Sequence, residues 1–352
     1  MKIYITAAQA LSAHDTFLKN EAPAQVETFG SIMKFRAPDY KKYFDPLQRR
    51  RMSNLVKASG VCSTECVNEA GIEKPDAIIV ATSLGNVEES EKFLNKMIDE
   101  NVEFLTPTNF IQSNHNSLGA QIALNYRCNG YNVVYSHKTA SFESALLDAF
   151  MQISEGQAQN VLVGGIDEIT PENCELKKNL GLWKQEPWSN LDMLKSESPG
   201  SVPGEGVSFF MLSSQKNEGL NIRLTGISMF PFSDKPEEVS EKISRFLSQN
   251  GKKPHEIDLV LTGNNGDQVY DNFTKEVLTS TFPGSVHASY KHLCGQFDTA
   301  AGFGLWVATR ILKTGTIPDH LRMNRIERNL NTVLLYHHDN CRNHSMVLIE
   351  KD

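Results

Sequence analysis

Runs of apolar and β-branched residues, broken by turn formers, predict strands over residues 2–8, 76–82, 132–136, 160–166, 207–212 and 221–229. Further strands are predicted over 257–262, 284–289, 331–336 and 344–350. Between them the spacing turns helical: over 44–71, closed by Gly71, over 118–126, over 235–249, over 267–280 and over 298–313. Phe142, Ala145, Leu146, Ala149, Phe150 and Ile153 mark another helix. Ser83-Leu84-Gly85 is a turn into a further one. Thr108 or Asn109 caps a helix that the stretch 113–116 interrupts, and residues 171–200 read as a polar loop region.

Strands alternating with helices predict a layered α/β protein. The two halves, 1–215 and 216–352, repeat each other in outline. The organising stretch is 131–170: strand, tight turn, long helix, and a strand closed by Gly164-Gly165. Its turn, Lys138-Thr139-Ala140-Ser141, stands at a helix N-terminus above a sheet, which is where a nucleophile is commonly placed.

Composition narrows the function classes. A net charge of −7 gives no general attraction to nucleic acid or to an anionic membrane. No apolar run approaches the ~18 residues that span a bilayer. The opening MKIYITAAQALS reads as a strand rather than a signal peptide, and the six cysteines lack framework spacing, so free thiols and a cytoplasmic location are expected. Cys62 and Cys66 share a helix face, but no second pair completes a metal site. Positive charge concentrates at Lys41, Lys42, Arg49, Arg50, Arg51 and Lys57.

Several motifs resemble those of the thiolase-fold ketosynthases. VPGEGV at 202–207 matches the family's V-P-G-E-G-A, and Lys291 to Gly302 aligns without a gap with K-S-x-x-G-H-x-x-G-A-A-G. The opening resembles I-T-G-x-G-x-x-S-P with Ala7 and Gln9 in place of the glycines. The resemblance implies the five-layered αβαβα thiolase architecture with two duplicated halves, acting on acyl groups carried by the phosphopantetheine of an acyl carrier protein. It implies no other bound cofactor. The basic cluster near residue 50 then suits an acidic carrier protein, or is simply a solvated helix end.

Decarboxylative condensation needs a thiolate and two imidazoles. Counting back from Gly164-Gly165, the family's cysteine (T-A-C-S-S) falls on Thr139, with Ser141 as the fallback. The first histidine position falls on Gly263 or Asn264, and the second on Gln296. Asp339 stands within the stretch matching G-F-G-G-T-N, where it would repel an oxyanion. The resemblance implies further that Phe110 and Gln112 border an acyl tunnel at a two-fold interface.

Scaffold motifs retained around an altered site point to a chain-length-factor-like, non-catalytic member, similar to the small versions of aryl-polyene or flexirubin-type synthesis. Such a chain would pair with an active ketosynthase, or with itself. Two rivals remain: an acyltransferase using Thr139 or Ser141 with His137 or His115, and a structural homodimer or carrier-binding module.

Overall fold

The computed structural model describes residues 1–30, 32–99 and 107–352. The first half holds seven strands: β1 (Ile3–Leu11), β2 (Phe29–Gly30), β3 (Ala77–Ala81), β4 (Asn132–Tyr135), β5 (Asn160–Asp167), β6 (Trp188–Ser189) and β7 (Gly206–Ser213). The second holds β8 (Ile222–Pro231), β9 (Leu259–Thr262), β10 (Val286–Ser289), β11 (Thr332–Asp339) and β12 (Asn343–Lys351). The helices are α1 (Pro46–Arg51), α2 (Asn54–Ala70), α3 (Val87–Asp99), α4 (Pro107–Ser113) and α5 (Asn116–Tyr126). They continue with α6 (Ser141–Ser154), α7 (Pro171–Asn179), α8 (Pro236–Gln249), α9 (Gln268–Thr281) and α10 (Ala300–Thr314).

Ten strands form one sheet in the order β10-β9-β11-β12-β8-β1-β7-β5-β3-β4, while β2 and β6 pair separately. The halves meet where β1 pairs with β8 from Ile3 to Ile5. Set β2 and β6 aside and number each half's strands in sequence order. Both halves then read 3-2-4-5-1, with the same parallel and antiparallel senses. The duplication is therefore one of topology.

Burial follows from the period of two along each strand. In β5, Val161 and Val163 face a core shared with α6 and α10, whereas Leu162 and Ile166 face α2 and α5. In β11, Val333 and Leu335 join the α6/α10 core, and Leu334 and Tyr336 join α8 and α9. Three apolar cores thus hold five layers together: α2/α5, the first half's strands, α6/α10, the second half's strands, and α8/α9, the two strand layers being the halves of the one sheet. Because both faces of the central strands are covered, their sequences read as unbroken apolar runs.

Two expectations need correction. The helix expected over 44–71 is two helices, because Ser53 accepts from the Val56 N–H and restarts the chain after an extended Met52. The stretch 171–200 is not only loop: Thr170 caps α7 by accepting from the Asn173 N–H, with Pro171 at its first position. The break expected at 113–116 does separate α4 from α5.

Candidate active site

The site is built at the head of α6. After β4 the chain enters a single 3₁₀ turn, Lys138–Ala140, with Lys138 held at φ +52°, a conformation that costs a side-chain-bearing residue energy. Ser141 fixes this turn: its Oγ accepts from the His137 N–H (2.8 Å) and donates to the Lys138 carbonyl (2.6 Å). Its hydroxyl is buried and committed, so Ser141 holds the turn rather than facing a substrate. Thr139 is also buried, and its Oγ1 accepts from Asn343 Nδ2 at 3.1 Å and makes a longer contact, 3.4 Å, with Asp339 Oδ2.

Those partners come from the hairpin joining β11 to β12. Asn340 and Cys341 have φ of +47° and +58°, and the Arg342 N–H donates to the Asp339 carbonyl at 2.7 Å. Asn340 and Cys341 thus adopt the left-handed conformation that glycine takes most easily.

Asn264 and Gln296, the residues expected at the two imidazole positions, each sit in a polar contact. Asn264 accepts from Thr262 Oγ1 at 2.6 Å, and Gln296 accepts from the ammonium of Lys291, which is fully buried. A histidine that sequence reasoning did not single out lies close by. His337, on β11, is buried, and neither ring nitrogen has a hydrogen-bond partner among the described residues. A Cβ at Gly263 would sit 2.5 Å from His337 Nδ1 and 3.3 Å from Lys291 Nζ, so the missing side chain at Gly263 is what admits both. The strand alternation of Val333, Leu335 and His337 carried the signal for its direction.

Glu143, in the first turn of α6, is the second unforeseen group. Ser345 Oγ donates to its Oε1 at 2.8 Å, and its Oε2 is unpartnered. Thr139, Ala140, Glu143, Phe230, His337 and Ser345 are among the walls of a cavity of about 250 Å³. A larger groove, about 620 Å³, runs along residues 184–199 and includes none of these groups.

Burial dominates the electrostatics. It raises the Glu143 carboxyl to about 7, against the pull of Ser345 and Lys291. It lowers Lys291 to about 8, although Cys294, Asp339 and Asp271 favour the charged form. It holds His337 neutral, with Lys291 adding to the effect, and raises Asp339, with Asp298 adding. Thr139 therefore meets an amide donor and a carboxylate, a setting that does not generate an alkoxide.

The other expected groups lie elsewhere. His137 is exposed while Thr139 is buried, so the two do not form the pair considered from their spacing. Phe110 is 61% exposed on α4, its ring 5.3 Å from that of Phe93, and Gln112 donates to the Arg51 carbonyl. Neither is among the cavity's walls, and His115 sits against Gly85. Lys41, Arg49, Arg50 and Lys57 line one surface groove of about 550 Å³.

Residues 28–188 match the family described as beta-ketoacyl synthase, N-terminal domain. No curated protein matches the chain in sequence. Among solved structures, the ishigamide ketosynthase/chain length factor superposes with a TM-score of 0.85 at 15% identity, covering 100% of this chain and 99% of that one. A beta-ketoacyl synthase from Burkholderia phymatum STM815 gives 0.80 at 14% identity, with 100% of both chains covered. A type II PKS acyl-carrier protein in complex with its ketosynthase bound to the hexaketide gives 0.76 at 15%, covering 100% and 99%. Among the described residues no helix is long and apolar enough to cross a membrane. Residues 28–188 thus match a beta-ketoacyl synthase N-terminal domain, and the whole chain has the fold of the ketosynthase structures on which it superposes end to end.

Proposed function

We propose that this chain is a ketosynthase-like subunit of the chain-length-factor kind, which shapes an acyl tunnel beside an active, cysteine-bearing ketosynthase and does not itself condense. Its two halves divide after residue 215, and it works in the cytoplasm in aryl-polyene or flexirubin-type synthesis. The growing chain arrives on the phosphopantetheine of an acyl carrier protein, with the groove of Lys41, Arg49, Arg50 and Lys57 as the docking surface.

One observation carries this reading. Thr139, which the resemblance aligns with the acyl-accepting thiol, is bonded to Asn343 and Asp339, while Asn264 and Gln296, aligned with the two imidazoles, are bonded to Thr262 and Lys291. A threonine so placed has no imidazole at its hydroxyl, only a long contact to Asp339, and a glutamine bonded to Lys291 cannot shuttle a proton near neutral pH.

The experiment is incubation with an acylated carrier protein, followed by mass spectrometry. The expected result is no covalent acyl adduct, together with co-purification of a cysteine-bearing ketosynthase. An adduct on Thr139 or Ser141 would reverse the assignment. A second reading, an acyltransferase, has one observation in its favour: His337 lines the same cavity as Thr139. The same adduct experiment decides it.

A further inference from the structure

Glu143 on α6 and His337 on β11 border the 250 Å³ cavity with hydrogen-bonding capacity left over. Glu143 is 0% exposed and His337 2%, yet one carboxyl oxygen and both ring nitrogens have no partner among the described residues. An unmet buried polar group costs about 1–3 kcal/mol, so such atoms are ordinarily paired. Two side chains in that state at one cavity indicate that a hydrogen-bonding group belongs inside it.

The remaining polar walls are already engaged. Ser345 donates to Glu143, Asn343 donates to Thr139, and the two nitrogens of His344 meet the Tyr336 hydroxyl and the Ser233 carbonyl. Met229, Phe230 and Pro231, at the end of β8, supply an apolar side. No lysine or arginine lines the cavity, and the two ammonium groups close by are engaged, Lys291 with Gln296 and Lys242 over the Phe230 ring, so an anionic group would enter without a direct ion-pair partner. Burial keeps Glu143 protonated close to neutrality, which leaves it a proton to donate. The volume falls just below the ~300 Å³ at which drug-sized pockets begin, which selects a small occupant.

We propose that this cavity binds a small uncharged molecule presenting a hydroxyl or carboxamide on a short apolar stem, with its head bonded to Glu143 and His337 and its stem against Met229, Phe230 and Pro231. The site goes beyond the tunnel-shaping role and is independent of it, because a chain that forms no acyl adduct can still bind such a ligand.

The test titrates the full chain with 1-butanol and butanamide, following the histidine ring ¹⁵N signals by NMR. Butyrate, butylammonium and 1-chlorobutane serve as charged and apolar comparators. Both neutral polar probes are expected to shift the His337 signal saturably. His337→Phe and Glu143→Leu are expected to weaken 1-butanol binding about tenfold each. Selectivity in the unmodified protein decides the matter even where a variant fails to fold. Equal binding of 1-chlorobutane, an equal shift from butyrate or butylammonium, or no shift from either polar probe up to about 50 mM would overturn the proposal.

Discussion

Glu143 shows how one buried carboxyl sets the pH response of the site. Its folded-state value of about 7 lies above the ordinary 4.5, so its contribution to stability is present at low pH and is lost as pH rises through 7. Glu143→Gln keeps the acceptor for Ser345 and removes the titration. Measured by denaturant unfolding, the variant is expected to gain about 2 kcal/mol relative to the parent on going from pH 5 to pH 8. An unchanged difference across that range would contradict the burial argument. The histidines act in the opposite sense. His337, His338 and His344 are held below 6.5 chiefly by burial, so their contribution is present above 6.5 and fades as pH falls. At the same scale, Gly204 and Gly295 explain each other. A Cβ at Gly204 would lie 2.0 Å from the Cys294 carbonyl oxygen, and one at Gly295 would lie 2.7 Å from the Gly204 Cα. Gly204→Ala is expected to cost about 3 kcal/mol or more, or to abolish soluble expression, because backbone must move. This contact is the physical reason that VPGEGV and the lysine-to-glycine segment near 295 occur together.

Among the elements, α7 tests the local rules. Its cap, Thr170, accepts from the Asn173 N–H at 3.2 Å and donates to Glu91 at 2.6 Å. Thr170→Ala should lower stability by about 1 kcal/mol in thermal unfolding, and Thr170→Ser should restore most of it. The cap and Pro171 were both legible in the sequence. What hid the helix was its polar surface, with Cys174 its one buried residue, so no apolar period stood out. The hairpin between β11 and β12 shows the converse. Asn340 and Cys341 adopt positive φ where the sequence offered no glycine, and the turn is fixed by pairing of the flanking strands together with hydrogen bonds from the Cys341 N–H to His338 and from the Ser233 N–H to the Cys341 carbonyl.

For the whole molecule, the proposed pairing predicts where association can be broken. Helices α3, α4 and α5 pack in succession and expose Leu94, Ile98, Phe110, Ile111 and Leu124, with β4 as the outermost strand of the sheet. A strand edge without a neighbouring strand among the described residues, beside exposed apolar groups, favours a partner. Phe110→Glu with Leu124→Glu is expected to weaken association with the ketosynthase partner, or with a second copy, at least about tenfold by size-exclusion and sedimentation. Unchanged association would place the interface elsewhere. In this reading Phe110 acts at the subunit surface, consistent with its absence from the cavity wall.

The order and type of most strands and helices followed from the sequence, because period, caps and glycine pairs act between neighbours along the chain. The alignment that sets Thr139, Asn264 and Gln296 at the thiol and imidazole positions is likewise a reading of local motifs. The company these residues keep could not be read in that way. His337 joins Lys291 at Gly263, Glu143 meets Ser345, and Thr139 meets Asn343 and Asp339 only after the sheet has brought segments some 200 residues apart onto one helix head. Burial, which decides the charge of each of those groups, is a property of that packing and has no signature in local sequence.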